Sequence, residues 1–275
     1  MGTLLEVKDL VITDSRSKKD IVKGISFSVE DNSCLAIVGE SGSGKSMTCK
    51  TFMGLHKPWI KWSGDVFFEG VDIKKYSPKE MRAMCGKKLC MVMQNGMSAF
   101  DPSDKMKGHF RETLKVHYGY EKNKADEEMI AAMEKVLLKE PEKVLDKFPH
   151  QLSGGMLQRC MIALTLALKP QLIIADEPTT ALDTITQYEV IQQFIELKQH
   201  MNNSMIFISH DLGVVRNIAD NVIVMKTGEI VERGKTESVL YNPQHEYTKF
   251  LVNAKKGMNE AFNRIMSGGL KEANA

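Results

Sequence analysis

The run Gly39-Glu40-Ser41-Gly42-Ser43-Gly44-Lys45-Ser46 fits the pattern G-x-x-x-x-G-K-[ST], and its chemistry follows from its residue types. Glycines let the backbone turn tightly with N–H groups pointing inward, so several donors converge on phosphate oxygens. Lys45 adds a point charge for the β- and γ-phosphates, and Ser46 offers a hydroxyl to Mg²⁺. Further along, Leu172-Ile173-Ile174-Ala175-Asp176-Glu177 is an apolar strand ending in two carboxylates. Adjacent residues on a strand point to opposite faces, so the two acids must do different jobs. Asp176 is placed to hold Mg²⁺ through its water shell. Glu177 is free to orient the attacking water or accept its proton. Between these elements, Ser153-Gly154-Gly155 opens a helix and makes a second anion-binding end. One chain needs one phosphate loop for its nucleotide. A second phosphate-reading end therefore suggests that each nucleotide is shared between two chains.

These groups need elements to carry them. Cys34-Leu35-Ala36-Ile37-Val38 reads as a buried parallel strand leading into the loop, and residues from Lys45 to Leu55 as the helix leaving it. Leu4–Ile12, Ile25–Glu30 and Gly64–Glu69 read as strands, with polar breaks over Thr13–Asp20 and Asp31–Ser33. Ser77 followed by Pro78 opens a short helix to Met84. Asp104–Tyr118 and Ala125–Leu138 have helical patterns, and Ser153–Leu168 is a helix ending before Pro170. Thr184–His200 is a long helix carrying Val190, Ile191, Phe194, Ile195 and Leu197. Met205–Ile208, Leu212–Ala219 and Asn221–Met225 then alternate strand, helix, strand. Such alternation indicates an α/β fold with a mostly parallel sheet and helices outside.

Composition bounds the reading. A chain of 275 residues with 43% hydrophobic residues allows one large or two small domains. The net charge of +2 leaves no strongly basic footprint, so nucleic acid is not an expected partner. The five cysteines include no C-x-x-C pair, and the closest two, Cys85 and Cys90, are spaced unlike common zinc sites. The apolar stretches fall short of the ~20 residues that cross a bilayer, and Met1–Leu10 carries no signal-peptide pattern. The expected location is cytosolic, with the membrane reached only through partners.

Together the motifs resemble the ATP-binding subunits of ABC transporters, over essentially the whole chain. Leu152-Ser153-Gly154-Gly155-Met156 resembles the family signature, Gln94 the Q-loop glutamine, Ala181-Leu182-Asp183 the D-loop and His210 the switch histidine. The resemblance implies a P-loop NTPase fold of the ABC type. Its parts are a central mostly parallel sheet, an antiparallel β element and a helical subdomain at about 94–168. The ATP-binding domain spans 1–255, and an extension over 256–275 is expected to be partly mobile. It also implies that Lys45, Ser46, Gln94, Asp176, Glu177 and His210 act on one ATP, with Ser46, Gln94 and Asp176 around Mg²⁺. Ser153, Gly154 and Gly155 cover the partner's ATP, with Asp183 beside them. The implied partners are a second ATP-binding subunit, more often a different one than a copy, two membrane permeases and, indirectly, an extracytoplasmic solute-binding protein. The implied place is the cytoplasmic face of the cell membrane.

Within that family, Met93-Gln94-Asn95 with Ser98-Ala99-Phe100, and Asn242-Pro243-Gln244-His245-Glu246-Tyr247-Thr248, resemble the importers of nickel, oligopeptides and dipeptides. The similarity to the D-type nickel-import subunit favours nickel over peptides. Two departures stand out. Met156 replaces the usual glutamine, as in the nickel and peptide branch. The segment Ser15–Lys23 lacks the aromatic residue that stacks on adenine, so Ile21 or Val22 would have to pack against the base. Soluble relatives in DNA repair separate the loop and signature by long coiled coils, and ribosome-associated relatives carry two ATPase units. A kinase built on a phosphate loop alone would leave Ser153-Gly154-Gly155, Asp183 and His210 unexplained.

Overall fold

Two sheets pack around the loop strand, and a computed structural model describes residues 2–179, 184–200 and 203–254 of them. The first sheet is antiparallel. Strands β1 (Thr3–Asp14) and β2 (Lys19–Glu30) form a hairpin, with β4 (Ile60–Phe68) and β5 (Val71–Asp72) beside β1. The second sheet runs in the order β10-β9-β3-β8-β7-β6. Its members are β3 (Cys34–Val38), β6 (Leu89–Val92), β7 (Leu172–Asp176), β8 (Ser204–Ile208), β9 (Asn221–Lys226) and β10 (Glu229–Lys235). All its pairs are parallel except β9 with β10. Every residue of β3, β7 and β8 is buried, as suits strands covered on both faces.

Helix α1 (Lys45–Phe52) follows the loop, and α2 (Pro78–Met84) opens at Ser77 with a capping box to Glu80. Four helices come between β6 and β7: α3 (Met106–Tyr118), α4 (Lys122–Lys135), α5 (Pro141–Leu145) and α6 (Gly154–Leu168). Their core is continuous with one face of the sheet, since Met106, Phe110, Met129, Met133 and Leu157 pack in one cluster with Val92, Ile173, Ala175 and Phe207. The opposite face of β7 and β8 (Leu172, Ile174, Ile206 and Ile208) packs on α1 and the antiparallel sheet. Helices α7 (Thr184–His200), α8 (Leu212–Ile218) and α9 (Thr236–Tyr241), with helical residues 246–254, complete the outside. No helix among the described residues is long and apolar enough to cross a membrane.

Three sequence expectations are corrected. The polar break at Thr13–Asp20 shrinks to a turn at residues 15–18. Polar residues suffice there because they are hydrogen-bonded: Thr13 donates to Asp20 across the hairpin at 2.7 Å, and the Ser15 hydroxyl donates to the Trp59 carbonyl, just ahead of β4, at 2.7 Å. The strand read as Gly64–Glu69 begins at Ile60, where it pairs with Asp14. Strand β10 and helix α9 escaped the reading altogether, although Thr227 (φ 47°) and Gly228 (φ 86°) form the two-residue positive-φ turn that joins β9 to β10.

Phe207 is fully buried and meets Phe194 edge to face at 5.6 Å, whereas Phe250 is 60% exposed. Phe207→Ala should lower the unfolding free energy by about 3–5 kcal/mol, against roughly 0.5 kcal/mol for Phe250→Ala, measured by chemical denaturation. Equal losses would refute the assignment of this core.

Candidate functional site

Gly39 stands where β3 gives way to the loop, and a side chain there is impossible: a Cβ would lie 2.1 Å from the Met225 carbonyl oxygen of β9. The loop is then closed from within and behind. Lys45 Nζ donates to the Gly39 and Glu40 carbonyls, both at 2.8 Å, and the Gly228 N–H donates to the Ser43 carbonyl at 3.1 Å. Lys45 is 4% exposed, and burial draws its pKa below the usual lysine value against the opposing pull of Glu177, Asp176 and Glu40. A buried ammonium among carboxylates is suited to meeting a polyphosphate, whose charge it compensates at short range.

Strand alternation separates the two acids as the sequence requires. Leu172 and Ile174 face α1, so Asp176 does too. There it accepts from the Ser46 hydroxyl at 2.5 Å on Oδ1 and pairs with Lys50 Nζ at 3.1 Å on Oδ2. Glu177 leaves the strand with φ 47°, a left-handed conformation that is uncommon for a non-glycine residue, while its N–H donates to the Ile208 carbonyl. The turn aims its carboxylate elsewhere: Oε2 accepts from Gln94 Nε2 at 3.2 Å and lies 3.5 Å from His210 Nδ1. Loop, Asp176, Glu177, Gln94 and His210 therefore form one cluster. The oxygens of Ser46, Asp176 and the Gln94 amide make a hard donor set that fits Mg²⁺.

Ser153 caps α6 by accepting from the Met156 N–H at 3.2 Å. Ser153 and Gly155 line a separate cavity of about 240 Å³ with Leu137, Lys139, Met156 and Arg159. Among the described residues no hydrogen bond or ion pair joins Ser153, Gly154 or Gly155 to the phosphate loop. A Cβ on Gly154 would meet nothing within 4 Å among the described residues, so none of them demands glycine there. Helix α6 does reach the Q-loop. Gln158 Nε2 donates to the Met93 carbonyl at 3.3 Å, and a Cβ on Gly96 would come within 2.9 Å of Leu157 Cβ. Asp183 lies outside the described residues.

Val22 is corrected as a base-stacking candidate. It is fully buried behind the loop, where a Cβ on Gly44 would touch its Cγ2 at 2.9 Å. Ile21 is partly buried, and it is the one of the pair with surface left to offer. Lys50 was missed, because one lysine on a helix gives no signal until its partner 126 positions away is known. Gly228 was missed with the turn that carries it. No group of three or more His, Cys, Asp or Glu among the described residues could hold a metal ion.

Lys50 and Ser46 together compensate a carboxylate that is 3% exposed. Lys50→Met should cost roughly 1–3 kcal/mol without nucleotide. Part of that loss should return with Mg²⁺-ATP, whose cation replaces the missing charge, so the variant's melting temperature gains more from Mg²⁺-ATP than the wild type's. Equal gains would show that Lys50 does not serve Asp176.

Residues 22–180 match the family model of the ABC transporter. The chain is 47% identical over 270 residues to the metal-staphylopine import system ATP-binding protein of Staphylococcus aureus, covering 98% of this chain and all of the relative. It is 42% identical over 249 residues to the oligopeptide transport ATP-binding protein of Bacillus subtilis, covering 89% of this chain and 70% of the relative. A dimeric ATP-binding cassette, MJ0796, solved with ADP and Pi, superposes with a TM-score of 0.75 at 24% identity. That alignment takes in 84% of this chain and 98% of the other and bears on the fold. The chain belongs to the ABC transporter family, as one of its ATP-binding subunits.

Proposed function

We propose that this chain hydrolyses ATP to drive an importer whose cargo is a metal ion, nickel first, entering free or as a small chelate. The observation that carries the hydrolytic half is the convergence of Gln94 and His210 on the Glu177 carboxylate, beside a loop built for phosphates. The cargo half rests on kinship, since the ATPase does not touch the solute. The relative matched along its whole length serves a metal-staphylopine import system. The oligopeptide relative supports a second reading, peptide import, in which the ATPase chemistry is unchanged.

In the mechanism, the loop N–H groups and Lys45 hold the triphosphate, and Lys45 balances charge as it develops on the transferred phosphoryl group. Ser46, Asp176 and Gln94 would hold Mg²⁺, which would supply positive charge against the phosphates. Glu177 lies against Gln94 and His210, so its carboxylate is pinned to receive the proton of the attacking water. The signature residues Ser153, Gly154 and Gly155 take no part in this chain's own cluster. They cover the nucleotide of a second ATP-binding subunit, in our reading a different chain, and Gly154 leaves open space for it. Closure of the pair around ATP and reopening after hydrolysis form a two-state interface that moves two membrane permeases. A solute-binding protein outside the membrane would deliver the cargo.

Glu177→Gln should keep ATP affinity and lower kcat about 10²–10⁴-fold, and turnover at the wild-type rate would remove its role as base. Lys45→Ala should weaken ATP binding itself, checked by titration with a fluorescent nucleotide; unaltered affinity would count against the loop assignment. In cells lacking only this subunit, uptake of radioactive nickel should fall while that of a labelled oligopeptide persists. The reverse pattern would establish the peptide reading.

A further inference from the structure

The segment Asn242-Pro243-Gln244-His245-Glu246-Tyr247-Thr248, which leads from α9 into the helical residues 246–254, contributes none of the catalytic groups. In the fold it reaches the phosphate loop. Tyr247 is 6% exposed, and its hydroxyl oxygen accepts a hydrogen bond from the Glu40 N–H at 3.1 Å. The ring packs with Ala36, Val38, Val222, Val224 and Val239, and the Lys226 ammonium lies 4.8 Å from its centroid. The approach to it is fixed as well. Glu232 of β10 accepts from the N–H groups of Gln244 (2.8 Å) and His245 (3.0 Å), and His245 Nδ1 accepts from the Tyr247 N–H at 3.1 Å.

The geometry gains its meaning from which peptide is held. The Glu40 N–H and the Gly39 carbonyl belong to the same peptide unit, the first of the loop. Its oxygen faces inward and accepts from Lys45 Nζ, while its N–H faces outward and donates to Tyr247. The plane of that unit sets the direction in which the following residues, Ser41 to Gly44, turn their own N–H groups. Tyr247 is the outer support of this plane, independent of the Lys45 ammonium on its inner side.

We propose that Tyr247 is a positioning residue of the nucleotide site, its hydroxyl holding the Gly39–Glu40 peptide so that the loop's donors point at the phosphates. The proposal rests on the reading of Gly39–Ser46 as the phosphate loop and assigns the start of the helix at 246–254 a part in ATP affinity. Tyr247→Phe is the informative variant, since it keeps the ring, its packing and the Lys226 contact and deletes one oxygen.

The test uses the full chain assembled with its partner subunits. Tyr247→Phe should raise KM for ATP about fivefold, the loss of one hydrogen bond of about 1 kcal/mol, with kcat within about twofold of wild type. Glu40→Pro removes the same bond from the donor side, so the double variant should raise KM no further than the larger single one. Lys45→Ala, run alongside, reports on the loop itself. An unchanged KM in Tyr247→Phe, or a fall in kcat alone, while Lys45→Ala abolishes binding, would overturn the role of Tyr247. Fully multiplicative effects of the two single variants would overturn it too. Intact binding in Lys45→Ala would instead remove the loop reading on which the role depends.

Discussion

Strand β7 is five residues long, and its alternating side chains serve two cores at once. Ile173 and Ala175 anchor the helical layer of α3 to α6, while Leu172 and Ile174 anchor α1 and the antiparallel sheet. Because both faces are buried, a slip of one residue would exchange side chains between two differently packed cores and turn the Asp176 carboxylate toward the apolar helical layer, away from its partners, which is costly. That register delivers Asp176 to Ser46 and Lys50 and leaves Glu177 to be turned toward Gln94 and His210. Chemistry and folding thus share one constraint.

Electrostatics then divides the labour. Asp176 is buried, and each of its oxygens has a partner. Lys45 is equally buried, and its charge is tolerated because the loop carbonyls and the nearby acids surround it. His210, in contrast, is more than half exposed at its side chain, at the edge of the cluster. The groups held by several partners are enclosed, and the one at the edge of the cluster is open to solvent.

The sequence was most informative where function compresses residues into short patterns. The loop, the strand ending in two acids and the cap at Ser153 each lie within eight residues, and each stands in the fold on the element expected of it. What escaped joins distant positions. Lys50 with Asp176, Gly228 with Ser43 and Tyr247 with Glu40 span gaps of chain that carry no periodicity. Val22 failed as a base platform for a related reason: an apolar residue beside a loop looks the same in sequence whether it faces ligand or core. The polar hairpin tip misled by composition, since side-chain hydrogen bonds did there what apolar alternation does elsewhere.

The order β10-β9-β3-β8-β7-β6 places the loop strand between two neighbours made late. Strand β3 ends at Val38, and β8 begins at Ser204, roughly 160 residues later. At about 5–20 residues per second, the ribosome takes on the order of ten to thirty seconds to supply that neighbour, and longer to supply β9. Throughout this interval five consecutive apolar residues have neither of their final strand partners. Parallel pairing at such separation is slow to close even when the chain is complete. The strand that launches the phosphate loop is among the earliest written yet waits for neighbours from the last third of the chain, so a nascent chain is open to mispairing at the segment that carries the loop.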